Sequence, residues 1–198
     1  MKLTTDLTQS SIASHNCRLT QRGTKFILLR SRVARFKERS VMSDLHLALT
    51  SALTDRYTSN ATRVRELAAP LIKAQFWQKP FPYGNSFGHL VLHLTGNLNY
   101  YIGAQIAQTG YIRDRSREFN DPNPPPKDQA LQRFDDAIAM VLETIRAQSS
   151  DDWAAPYSAV GTTAPTRLDI VIVCAAHMQH HIGQMIYLGY QWKQAGPK

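Results

Sequence analysis

"DQALQRFDDAIAMVLETIRAQ", residues 128–148, decides the fold class. Leu131, Phe134, Ile138, Val141, Leu142 and Ile145 recur at three- and four-residue intervals, separated by Asp, Arg, Glu and small residues. That interval lays all six along one side of an α-helix, and no strand-like alternation competes with it. An amphipathic helix of this length must bury its stripe against other elements, and the rest of the chain supplies them in kind.

Upstream, Ser43 is a good N-cap, and Leu45, Leu49, Ala52, Leu53, Tyr57, Val64, Leu67 and Ala68 predict a helix that Pro70 ends or kinks. "WQKPFPYGNS" (77–86) reads as a connector, with Asn85 or Ser86 placed to cap the next helix. That second helix is expected over about 86–109, with Phe87, Val91, Leu94, Leu98, Ile102 and Ile106 on its apolar face and Gly110 as its C-cap. "RDRSREFNDPNPPPKD" (113–128) combines charge with four prolines and reads as a long crossover loop without regular structure. Downstream, "SSDDWAAPYSAVGTTAPTR" (149–167) is a second loop with room for a β-turn or hairpin, and a last helix follows from near Thr166 to about Trp192. Four helices with two long connections and no convincing strand predict an all-α four-helix bundle.

The length of 198 residues suits one domain, and the net charge of +8 is unevenly placed. Residues 1–41 carry nine Lys or Arg against Asp6 and Glu38, whereas residues 42–198 carry 14 bases and 13 acids. A nucleic-acid role needs a basic face that replaces counterions, so none is expected of the main domain, 42–198. The basic extension, 1–41, has three readings: a disordered arm, an Arg-rich targeting peptide, or a translation start placed too far upstream. Met42, directly before the Ser43 cap, favours the last. Cys17 and Cys174 belong to no C-x-x-C pair, which favours a reducing cytoplasm. The longest apolar run, Ile170 to Ala176, falls far short of the roughly 20 residues that span a bilayer, so no membrane segment is expected.

Chemistry concentrates in "HMQHHIGQ" (177–184). His177 and His181 stand at i and i+4 on one helix face, where two imidazoles can close on one ion, while His180 points elsewhere. "HLVLHLTGN" (89–97) offers His89 and His93, of which His93 lies deeper in the apolar pattern. Imidazole suits Zn, Ni, Cu or Fe, and three histidines with an open position suit a catalytic site. Against this stands a helix merely rich in exposed imidazole. Cys174, one turn before His177, reads as a small buried hydrophobe rather than a fourth ligand. Gln184, one turn beyond His181, is placed to bond a ligand or to cap an interface.

"NSFGHLVLHLTGNLNYYI" (85–102), "RDRSREF" (113–119) and "HMQHHIGQMIYL" (177–188), in this order, resemble the DinB-like superfamily, including its YfiT-type metalloenzymes, over about 42–195. The resemblance implies up-down-down-up topology, homodimers and a divalent metal, Zn or Ni, on three histidines. His93, His177 and His181 match the ligand positions; His89 and His180 match none. Ile182 stands where many relatives carry Arg, which puts an anion contact there in doubt. Some relatives transfer groups to or from small thiols such as bacillithiol, mycothiol or glutathione. The resemblance thus implies a metal-dependent S-transferase acting on a small-molecule substrate with a low-molecular-weight thiol. A metal-dependent hydrolase and a non-catalytic metal-binding or stress-related protein are the alternatives. Asn97 and Tyr101 share the His93 face and, with Gln184, are candidate pocket residues; no catalytic acid or base stands out. Arg113, Arg115 and Glu118 are expected to pin the crossover by ion pairs, the alternative being that the two arginines receive an anionic substrate.

Overall fold

A computed structural model of the chain describes the backbone of residues 22–194 and the side chains of residues 43–192. Readings that fall on residues 1–21, including Cys17 and the first half of the basic extension, lie outside the described residues. The chain divides into two compact units, Met1–Val41 and Met42–Lys198. Among the described residues the structure is all-α, with one isolated antiparallel bridge between Pro156 and Thr166.

The first helix, α1, spans Arg22–Ala68, so helical backbone begins well before the expected Ser43. A run without an apolar stripe gives no helical periodicity to read, but its Arg, Lys, Leu and Glu residues have good helix propensity. Within the larger unit α1 buries Leu53, Tyr57, Asn60, Val64 and Ala68, one helical stripe. Lys127 finishes the helix: its ammonium donates to the Ala68 and Leu71 carbonyls at 2.8 and 2.6 Å, where the helix dipole favours a cation. A short helix, α2 (Lys73–Trp77), follows and buries Phe76.

Ser86 caps the helix α3 (Phe87–Leu98), its hydroxyl accepting from the His89 N–H at 3.2 Å while His89 Nδ1 accepts from the Ser86 N–H at 3.3 Å. His89 is thereby spent on the cap. Every α3 residue except Leu92 is buried, which makes α3 the central helix, packed against α4 (Arg115–Asn120), α5 (Lys127–Ala147) and α7 (Arg167–Gln194).

The expected helix over 86–109 does not run through. After Leu98 the backbone widens into a π-helical turn, Asn99–Ala104, and helical structure ends there rather than at Gly110. A π-turn frees a carbonyl from the regular ladder, and the Tyr157 hydroxyl donates to the Tyr101 carbonyl at 2.9 Å. Gln108 and Gly110 then take positive φ angles of 53° and 74° that no helix continues.

The crossover also contains structure that its prolines hide: α4, capped by Asp114, whose carboxylate accepts from the Arg117 N–H at 3.1 Å. In α5 the expected stripe is buried, apart from half-buried Leu142. The second loop holds α6 (Ser150–Ala154), which buries Trp153, and the Pro156–Thr166 bridge leads back to α7. Tyr57 on α1 donates to the Val171 carbonyl of α7 at 2.7 Å, and Asn60 Nδ2 donates to Ala175 at 3.4 Å, so these helices are joined by polar contacts inside an apolar core.

Candidate metal centre

The helix α3 supplies His93 and α7 supplies His177 and His181, and the ligand nitrogens of all three lie within 4.8 Å of one another. Among the described residues this is the one such cluster of His, Cys, Asp or Glu. His93 and His181 are buried, and His177 is half-buried. His93 Nε2 lies 2.9 Å from His177 Nε2, and His181 Nε2 lies 3.2 Å from the same atom.

The outer nitrogens determine what those inner atoms carry. His93 Nδ1–H donates to Glu118 Oε2 at 2.8 Å, which leaves a lone pair on Nε2. His181 Nδ1–H donates to Gln184 Oε1 at 2.7 Å, with the same result. Two lone pairs therefore face the third imidazole across hydrogen-bond distance. A third lone pair there repels both, whereas a cation satisfies all three.

Protonation is disfavoured. Burial, then the neighbouring His181 and His93, pushes His177 down to about 4, and burial also lowers His181 against the opposing effect of its hydrogen bond to Gln184. Both rings are neutral at pH 7, the form that ligates metal. In donor type, spacing and protonation the cluster fits a divalent metal ion.

Glu118 is the part of the site that sequence reasoning places only as an ion-pair partner. It is buried on α4 and accepts from Arg113 Nε at 2.7 Å and Nη2 at 3.0 Å, besides His93. Burial alone raises its carboxyl, but hydrogen bonds from His93 and Arg113 and the Arg113 charge together hold it below the usual carboxylate range. Arg113 Nη2 also lies 3.3 Å from His93 Nδ1, but that nitrogen's proton already goes to Glu118. Gly96 makes this approach possible: a Cβ there would fall inside the contact radius of Glu118 Oε1. The signal in the sequence was "TGN" one turn beyond His93 together with the Glu of "RDRSREF".

A cavity of about 890 Å³ opens beside the cluster and reaches His93 and His177. Asn97 and Tyr101 line it, with Tyr100 and Tyr111, while Arg113 and Arg115 border it. Gln184 does not line this cavity; its amide links exposed His180, whose Nε2 accepts at 3.3 Å, to the outer face of His181. Cys174 lines the cavity wall but stays outside the cluster, and burial pushes its thiol up to about 12, so it remains protonated. Tyr101 donates to the Val160 carbonyl at 3.2 Å, tying the π-turn to the loop that forms the opposite wall.

Comparison with known proteins agrees with this architecture. A conserved protein from Enterococcus faecalis, known from its crystal structure, superposes with a TM-score of 0.58 at 16% identity, over 71% of this chain and 94% of that one, which shows a shared fold. No functionally curated protein matches the sequence. The family model of the DinB superfamily matches residues 56–185, a span that includes all three histidines and Glu118. The chain belongs to the DinB superfamily.

Proposed function

We propose that the protein is a metal-dependent enzyme that joins a small thiol to an electrophilic small molecule, with His93, His177 and His181 as ligands and zinc or nickel as the resident ion. One observation carries the reading: three Nε2 atoms, those of His93 and His181 with their outer nitrogens tied back, converge beside an open cavity. A divalent ion held there supplies Lewis acidity, which lowers the pKa of a bound thiol or water. The chain's own residues do the rest. Glu118 and Gln184 hold the two buried imidazoles in the ligating tautomer. Tyr100, Tyr101 and Tyr111 present an aromatic wall against which a small organic molecule can lie.

Thiol chemistry is favoured over hydrolysis because, among the described residues, no Asp or Glu lines the cavity. Metallohydrolases commonly use a carboxylate base to orient and deprotonate water, and the nearest carboxylate, Glu118, is spent on His93 and Arg113. For the scaffold we propose a four-helix bundle of α1, α3, α5 and α7 with up-down-down-up topology, acting in the cytoplasm as a homodimer.

Metal analysis of the natively purified protein beside a His93→Ala/His181→Ala double variant tests the ligand set, with about one ion per chain expected for the wild type. Thiol-consumption assays with a panel of electrophiles then test the reaction. Equal metal content in the two proteins sinks the proposal, and metal without turnover of any thiol replaces it with a binding protein.

A further inference from the structure

The guanidinium of Arg113 carries more donors than the protein gives it acceptors. Its side chain is only 11% exposed, so the charge needs a partner, and Glu118 provides one along a single edge. Nε donates to Glu118 Oε1 at 2.7 Å and Nη2 to Oε2 at 3.0 Å, which spends two of the five N–H groups of a guanidinium. The third nitrogen, Nη1, has no hydrogen-bond partner among the described residues, yet it is not sealed from solvent. Arg113 lines the cavity with His93 and His177, so the unspent edge opens there. Its guanidinium carbon lies 6.0 Å from the ring centre of Tyr101, another wall residue. The charge is felt across the same space: burial raises the Cys174 thiol, and the Arg113 charge opposes that rise. Among the described residues no Asp or Glu lines the cavity to compete for the open edge.

We infer that Arg113 is a specificity residue whose open edge receives a carboxylate while Glu118 holds the other edge, so that the enzyme's small thiol is a thiol acid. A planar carboxylate matches the paired N–H groups along a guanidinium edge. The sulfur and the carboxylate belong to one small molecule because their subsites adjoin. Arg113 Nη2 lies 3.3 Å from Nδ1 of His93, whose Nε2 faces the histidine cluster, so about one imidazole's width separates the two. The inference names the substrate class of the proposed enzyme and rests on that reading for the sulfur; the carboxylate subsite requires only Arg113.

The test is calorimetric titration of the full chain at saturating zinc, with bound zinc counted in every sample, using 3-mercaptopropionate, 2-mercaptoethanol, propionate and 1-propanol. The quantity read is the affinity ratio of acid thiol to neutral thiol within each protein, so that general damage to the site cancels. The wild type is expected to bind 3-mercaptopropionate more tightly than 2-mercaptoethanol and than propionate. Arg113→Gln should shrink the ratio on the order of tenfold, as loss of a charge-assisted hydrogen bond does, and Arg113→Lys should recover only part, since an ammonium has no fork. Glu118→Gln, which removes the neighbouring negative charge and leaves the guanidinium in place, should raise the ratio. A purely structural Arg113 would weaken both thiols together when replaced, and that constant ratio overturns the inference. So does a ratio that falls in Arg115→Gln but survives in Arg113→Gln, or 3-mercaptopropionate binding no better than propionate, which would give the carboxylate to the electrophile. The two proposals fail separately. An Arg113-dependent preference for propionate over 1-propanol in a protein that binds no zinc would sink the enzyme and leave the subsite standing, whereas full zinc content and thiol binding with a constant ratio would do the reverse.

Discussion

Glu118 and Gly96 show how far one histidine depends on neighbours that bind nothing themselves. Glu118→Gln keeps an acceptor for His93 but loses the charge that Arg113 pairs with, and should weaken metal affinity about tenfold, read by competition with a chelator. Gly96→Ala should do the same by displacing the carboxylate, and wild-type affinity in that variant would refute the packing argument. The pH dependence follows from His177. A base held at about 4 when folded, against an ordinary value near 6.5, binds fewer protons folded than unfolded across that window. Stability of the metal-free protein should therefore fall as pH drops from about 6.5 towards 4, with a further loss as Glu118 protonates below the usual carboxylate range. Urea midpoints measured with chelator present at several pH values check this. At this scale the two helix-borne pairs, His89/His93 and His177/His181, are legible from spacing alone, because i, i+4 is a helical neighbour relation. The contact of Glu118 with His93 spans 25 residues, across the π-turn and the segment that follows it, and no periodicity encodes it.

The long helices announce themselves in sequence because each has a stripe to bury, and α5 and α7 lie close to where periodicity puts them. Short helices do not. The turns α2, α4 and α6 hold five or six residues each, less than two full repeats of any pattern, and are set by local caps and by what they pack on. The π-turn is invisible for a related reason: one extra residue per turn leaves composition unchanged. It depends on Tyr157, so Tyr157→Phe should cost about 1 kcal/mol of stability by orphaning the Tyr101 carbonyl, measured by urea unfolding. Lys127→Met should cost a similar amount, about 1 kcal/mol, by uncapping the end of α1. An unchanged unfolding midpoint in either variant would show that water replaces the lost donor without penalty.

For the whole molecule, an ion that binds only the folded state adds stability in proportion to the logarithm of its concentration. At a hundredfold excess over its Kd the gain is about 2.7 kcal/mol, so chelation should lower the melting temperature of the wild type, zinc should restore it, and the His93→Ala/His181→Ala variant should respond to neither. None of the described helices is long and apolar enough to cross a membrane. The structure also predicts where that stabilisation is felt. The segment α4 has six residues, too few to hold a helix in isolation, yet it carries the carboxylate that reaches His93. Its amides should exchange with solvent by local opening rather than global unfolding, and an ion on His93 biases that opening through Glu118. Hydrogen-exchange protection of Arg115–Asn120 should therefore report occupancy of the centre, making a surface turn the gauge of a buried site.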